Sequence, residues 1–241
     1  MNFSVQFSEL ATSSGELSPS LFLLQVLVVG AWLGCVGGVA WAVRRWGKAS
    51  SETVRKVVHI GTGHVIILAW LLHVPAWMGI TASVLFSILT LIAYRFPVLP
   101  VLDSVGRDSL GTFFYALSIG ILMVCFWTGG MQHYVVLGVL VMSWGDGLAA
   151  LVGQRWGRHQ YHVVGMKKSW EGSTTMAAAA FIVSVLTLGV VYGFSLPVFV
   201  MSIAIAIAAT ALESFSTLGI DNLTVPLGSA AIAYWLTLSL N

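Results

Sequence analysis

The residue with the clearest chemical potential is Asp146, in Ser143-Trp144-Gly145-Asp146-Gly147, inside an apolar run long enough to cross a bilayer. An ionisable group in such a run is costly, and so a functional candidate by default. Seven residues separate it from Gly153, where the run ends, so about 10 Å of helix lies between the carboxylate and the membrane face at ~1.5 Å per residue. Gly145 and Gly147 carry no bulk, which leaves room for a ligand or metal beside the carboxylate. Magnesium held by one or two carboxylates plus substrate phosphates suits this arrangement. The structural alternative is an ion pair with an Arg or Lys of another helix.

Three further clusters carry charge or phosphate chemistry. Arg55, Lys56 and His59 stand at the start of another apolar run, and helical spacing brings i, i+1 and i+4 near one face, so the three can converge on an anion. Flanking charge explains Arg44, Arg45 and Lys48 without a site, but topology does not call for an imidazole one turn inside the membrane. Gly165-Met166-Lys167-Lys168-Ser169-Trp170-Glu171-Gly172-Ser173-Thr174 runs into a further apolar segment. A helix N-terminus with free amides favours phosphate there, and two lysines add charge. A solvated loop is the alternative, and the spacing is not that of a Walker A loop. Glu213 lies near the end of the seventh apolar run and Asp221-Asn222 opens the eighth, with Pro226 just inside. Asp221 is also a candidate helix cap.

These residues must be positioned by membrane helices. The 241 residues include only eleven basic and nine acidic ones, 8% of the chain, against 58% hydrophobic. A soluble domain carries about 25% charged residues, so most of the outer surface faces lipid. A net charge of +2 offers nothing to nucleic acid. The two cysteines, Cys35 and Cys125, sit apart in apolar runs and read as packing residues. A spanning helix takes about 20 apolar residues, and the polar breaks predict an all-α, single-domain integral membrane protein with eight spans at 21–43, 55–73, 76–94, 110–127, 133–153, 173–192, 196–218 and 222–240. The longest connection is 154–172. Gly30, Gly34 and Gly38 form two GxxxG steps that permit close helix approach.

Cytoplasmic loops are enriched in Lys and Arg. All eleven basic residues fall in 44–56, 95–107 and 155–168, which eight spans place on one face. Both termini are then non-cytoplasmic, including the short tail 1–20, and 154–172 is cytoplasmic. The first 20 residues hold Glu9 and Glu16 but no Lys or Arg, which fits neither a secretory signal nor a transit peptide. A prokaryotic chain in a plasma or thylakoid membrane is the simpler reading. All four clusters share the cytoplasmic side, so one site at that face is the economical inference.

Together the segments Arg-Lys-x-x-His at 55–59, Gly-Asp-Gly-Leu-Ala-Ala-Leu-Val-Gly at 145–153, Lys-Lys-Ser-Trp-Glu-Gly-Ser at 167–173 and Asp-Asn-Leu-Thr-Val-Pro at 221–226 resemble the CTP-dependent polyprenol and phytol kinase family, which includes dolichol kinase. Arg107-x-Ser109-x-Gly111-Thr112 looks like a further family element, and the whole is most similar to cyanobacterial phytol kinases. The resemblance implies transfer of the γ-phosphate of CTP to an isoprenoid alcohol such as phytol, giving a prenyl monophosphate and CDP, with a place in phytol salvage and tocopherol synthesis. It implies Mg2+ on Asp146 with Glu213 or Asp221, and the triphosphate on Lys167, Lys168, Ser169, Glu171, Gly172 and Ser173. Arg55 and Lys56 would neutralise the transferring phosphoryl, and His59 is the choice of base, its unperturbed pKa being near neutrality. Spacing alone does not separate CTP from ATP. The alternatives are a cytidylyltransferase, whose more acid-rich signature is absent, and a transporter, which would show internal repeats and midplane charges.

Overall fold

A computed structural model describes residues 19–95, 110–215 and 217–238. The N-terminal tail with Glu9 and Glu16, Arg107 and Ser109 of the further family element, and the last residues of the eighth expected span lie outside the described residues. The helices are α1 (Pro19–Arg45), α2 (Ser51–Gly63), α3 (Val65–Leu71), α4 (Ala76–Arg95), α5 (Gly111–Phe126), α6 (Gln132–Trp156), α7 (Trp170–Tyr192), α8 (Leu196–Ser214) and α9 (Asp221–Thr237). Six segments among the described residues are long and apolar enough to cross a membrane: 19–45, 51–71 (α2 with α3), 76–95, 132–156, 170–192 and 196–214. In lipid the backbone must satisfy its own hydrogen bonds, which these runs do as helices. The chain is therefore an integral membrane protein. At 16 and 17 residues, α5 and α9 are shorter than a usual span.

The eight expected segments match the helices to within a few residues, with two differences. The expected second span is broken by a tight turn at His64, whose N–H reaches back to Gly61 O at 3.3 Å. The connection 154–172 is not all loop, so the fold is not purely α: β1 (Gln160–Val163) and β2 (Met166–Ser169) form an antiparallel hairpin pairing Tyr161 with Lys168 and His162 with Lys167. Val164 and Gly165 both take positive φ, 48° and 78°, as a two-residue hairpin turn of the I′ kind requires. Only the glycine does so without strain.

Helix α6 is the axis of the bundle. In its most apolar stretch 72% of residues are buried, against 11% in α1 and 17% in α4. It packs against α7, α9, α2 and α5, and Val135, Leu137, Val141 and Met142 on it are fully buried. The peripheral helices expose Leu, Val, Ile and Phe outward, the surface lipid would cover. Cys35 and Cys125 are exposed on that outer surface, which corrects the expectation that they pack. The GxxxG glycines also meet no neighbour: a Cβ on Gly30, Gly34 or Gly38 would have nothing within 4 Å.

Close approach is required elsewhere. A Cβ on Gly138 of α6 would come 2.5 Å from the backbone oxygen of Pro226 in α9, and backbone cannot step aside as a side chain can. Gly138→Ala is therefore expected to lower the melting temperature in detergent, by an overpacking cost of about 1–3 kcal/mol. Gly34→Ala is expected to stay within about 0.5 kcal/mol of the parent. Equal melts for the two variants would contradict this packing of α6 on α9.

Candidate functional site

At one end of the bundle, the N-terminal turns of α2 meet α6. Ser50 caps α2, accepting from Thr53 N at 3.1 Å, and the next turns present Arg55, Lys56 and His59. The Arg55 guanidinium forks onto Glu52 at 2.6 and 2.8 Å and remains about a third exposed. Lys56 turns inward and donates from Nζ to Asp146 Oδ2 at 2.5 Å. His59 Nε2 stands 3.7 Å from the same oxygen. It has no hydrogen-bond partner among the described residues although it is buried. The His59 ring lies 4.6 Å from that of Tyr115, whose hydroxyl shares a 2.7 Å hydrogen bond with Ser143 Oγ.

Asp146 thus takes the ion-pair geometry that the sequence left open as one of two readings. The glycines beside it do something other than make room for a ligand. A Cβ on Gly145 would run into the Met176 side chain of α7, and one on Gly147 into Ile60 of α2. Gly63 does the same for α2, where a Cβ would collide with Ser143. These glycines let α2 and α7 close on α6. The other histidine of this stretch, His64, serves the turn: its Nδ1 bonds Ile60 O at 2.8 Å and its Nε2 accepts from Trp144 Nε1 at 3.3 Å.

The hairpin covers the neighbouring helix ends. Lys168 reaches from β2 to the Glu213 carboxylate of α8 and also donates to Glu213 O at 3.1 Å. Its cross-strand partner Tyr161 places its hydroxyl 2.5 Å from Ser173 Oγ in α7 and 3.3 Å from Ser214 Oγ in α8. Glu171 clamps the start of the hairpin, accepting from His159 N at 3.2 Å and meeting His159 Nδ1 at 2.8 Å. Ser169 caps α7 by accepting from Gly172 N at 3.1 Å, and Trp170 N donates to His159 O at 2.9 Å. A Cβ on Gly172 would stand 3.1 Å from Ala149 O. Of the six residues in the expected phosphate segment, then, Ser169, Glu171, Gly172 and Ser173 hold the hairpin on the helix. Lys167 is exposed, and Lys168 is spent on Glu213. Two of the α7 first-turn amides are already bonded, so the cations here offer phosphate more than the helix terminus does.

Asp221 does not cap α9: the N-cap is Ile220, without a side-chain bond. Asp221 lies buried in the first turn, where an acid favours the helix dipole, and its Oδ1 accepts from Asn222 Nδ2 at 3.3 Å. Asp146 and Asp221 are both within electrostatic reach of Glu213 and of Arg55. The described residues contain no group of three or more His, Cys, Asp and Glu side chains gathered to hold a metal ion. Magnesium asks for less, taking one or two carboxylates and leaving its other positions to phosphate and water. The carboxylate oxygens of Asp146 and Glu213, with Asp221 nearby, are the hard donors magnesium takes, and in this structure Lys56 and Lys168 occupy the first two.

Tyr115, Tyr161 and Ser214 carry no signal in the sequence, and Ser143 none beyond its place beside Asp146. Each is an ordinary apolar-run or loop residue until folding sets it beside His59 or the hairpin.

The chain is 51% identical to the phytol kinase of Synechocystis sp. over 88% of its own length and 91% of that protein. It is 30% identical to a chloroplastic farnesol kinase of Arabidopsis thaliana, over 79% of this chain and 67% of that one. To phytol kinase 1 of the same plant it is 27% identical, over 86% and 75%. No protein-family model and no solved structure matches it. The chain belongs to the phytol kinase family, and it is an enzyme, a kinase.

Removing the Tyr161 hydroxyl while keeping its ring isolates the hairpin contact. Tyr161→Phe is expected to speed amide exchange across 160–169 by about three- to tenfold, the worth of one net hydrogen bond, with little change in global melting. Unaltered exchange in the hairpin would show that Ser173 and Ser214 do not anchor it.

Proposed function

We propose that this protein transfers the γ-phosphate of CTP to the primary hydroxyl of an isoprenoid alcohol, with phytol the first acceptor to test and farnesol the second. The observation that carries the proposal is the 51% identity to the Synechocystis phytol kinase over nearly all of both chains. Phosphoryl transfer needs positioning and charge compensation more than covalent help from the protein, and the site residues are of that kind. Arg55 and Lys167, at the exposed rim, meet the phosphates first. Lys56 and Lys168 neutralise the charge nearer the reacting group. Asp146 and Glu213 hold Mg2+, with Asp221 in support. The bound Mg2+ supplies Lewis-acid stabilisation of the developing phosphoryl charge. His59 accepts the alcohol proton at Nε2, the buried nitrogen without a partner beside Asp146. A site among membrane helices suits an acceptor that arrives from the bilayer.

The orientation belongs to the same proposal. Helices α5 and α9 also cross, giving eight crossings, because each is joined to a spanning helix by a short turn, 127–131 and 215–220. With eight crossings all eleven basic residues and the site share the cytoplasmic face, and both termini lie opposite.

Purified protein supplied with γ-labelled CTP, α-labelled CTP or γ-labelled ATP against phytol, farnesol, geranylgeraniol and diacylglycerol tests the chemistry. Label is expected in phytol from γ-labelled CTP alone. Lipid labelled from α-labelled CTP would mean cytidylyl transfer, and label from ATP alone would refute the donor. For orientation, a reporter active only in the cytoplasm is expected to be active near His159 and silent at Asn241. An active Asn241 fusion would overturn the eight-crossing arrangement.

A further inference from the structure

Two of the three buried carboxylates assigned to the metal, Asp146 and Glu213, each carry a lysine from one of the two segments assigned to phosphate. Lys56 of α2 sits on Asp146 at 2.5 Å, and Lys168 of the hairpin sits on Glu213. Asp146 and Glu213 are only 9% and 6% exposed. We infer that Lys56 and Lys168 are exchangeable counter-ions, which hold the carboxylates until a metal–nucleotide complex replaces them and then move onto its phosphates, so that metal and nucleotide bind together and neither binds well alone. The inference rests on the kinase reading above.

The physical argument is one of charge balance in a poorly solvated site. A buried carboxylate stripped of its partner is strongly unfavourable, and so is a buried ammonium. A divalent ion arriving alone would dislodge an ammonium group into a site with no anion to receive it. A nucleotide arriving alone would bring several negative charges beside Asp146 and Glu213 with only the rim cations Arg55 and Lys167 to meet them, Lys56 and Lys168 being held by the carboxylates. The complex of the two supplies both replacements at once, metal for the carboxylates and phosphate oxygens for the lysines. Lysine suits this exchange because its point charge rides on a flexible four-carbon stem, whereas arginine would hold a carboxylate in a fixed fork. The movement asked of the protein is side-chain rotation, since Lys168 already spans the gap between β2 and α8. By linkage, whatever factor the nucleotide adds to metal affinity the metal adds to nucleotide affinity.

Equilibrium dialysis of the purified full-length protein in detergent reads both partners directly. Mn2+ and labelled CTP are measured separately and together, at matched free Mn2+. Wild type is expected to retain Mn2+ at least about tenfold better with CTP present, within the usual range of coupling between sites. Lys168→Gln is expected to shift the two measurements in opposite directions, with tighter retention of Mn2+ alone and weaker retention of CTP in the presence of Mn2+. A merely structural lysine would weaken both. Equal retention of Mn2+ with and without CTP in wild type overturns the inference even if the variant does not fold. So does a folded variant whose retention of Mn2+ alone is unchanged or weaker. Wild type that retains CTP with Mn2+ but fails these comparisons leaves the kinase reading standing, whereas wild type that retains neither partner under any condition overturns both.

Discussion

The ion pair between Lys56 and Asp146 is the constraint from which the rest of the site follows. Two opposite charges placed inside a bilayer must satisfy each other, because neither lipid nor an apolar side chain can solvate them. Asp146 lies ten residues from the end of α6 and Lys56 six residues into α2, so the pair sets how far α2 descends along α6. Close approach is needed for a 2.5 Å contact. The glycines at 63 and 147 provide it by admitting Ser143 and Ile60 where side chains would otherwise stand.

The same principle shapes the polar end of the bundle. Polar groups gather at one end of the bundle in matched pairs: Arg55 with Glu52, Lys168 with Glu213, His159 with Glu171. The hairpin makes one of these pairings and adds a hydroxyl contact, since it carries Lys168 and Tyr161 on one face toward the ends of α7 and α8. A site held by compensated charges is stable while empty of substrate.

Much of this was legible in the sequence, and the limits have physical causes. Apolar runs near the thickness of a bilayer announce helices, and the described helices fall on the expected segments, six of them long and apolar enough to cross. Asp146, Lys56, His59 and Glu213 stood out because charge in such runs demands a reason, and Lys168 because a basic stretch runs there into a helix N-terminus. What could not be read was partnership. Nothing in Gly145-Asp146-Gly147 says that Met176 and Ile60 fill the space its glycines leave, since those contacts join segments up to 87 residues apart. The hairpin was missed because Gln160–Val163 and Met166–Ser169 are four-residue strands without a clear alternation of polar and apolar residues. Tyr115 and Tyr161 matter only through a ring contact and a hydroxyl that tertiary structure creates.

The arrangement of the site requires that Lys56 and Asp146 be energetically coupled inside the membrane. A double-mutant cycle of Lys56→Met and Asp146→Asn, read by thermal melting in detergent, measures that coupling without reference to activity. Each single change strands a buried charge and is expected to destabilise the protein by about 3–5 kcal/mol. The double change is expected to cost less than the sum, with a coupling of about 1–3 kcal/mol. Strictly additive effects would show that the two residues do not pair, and would contradict the account at its centre.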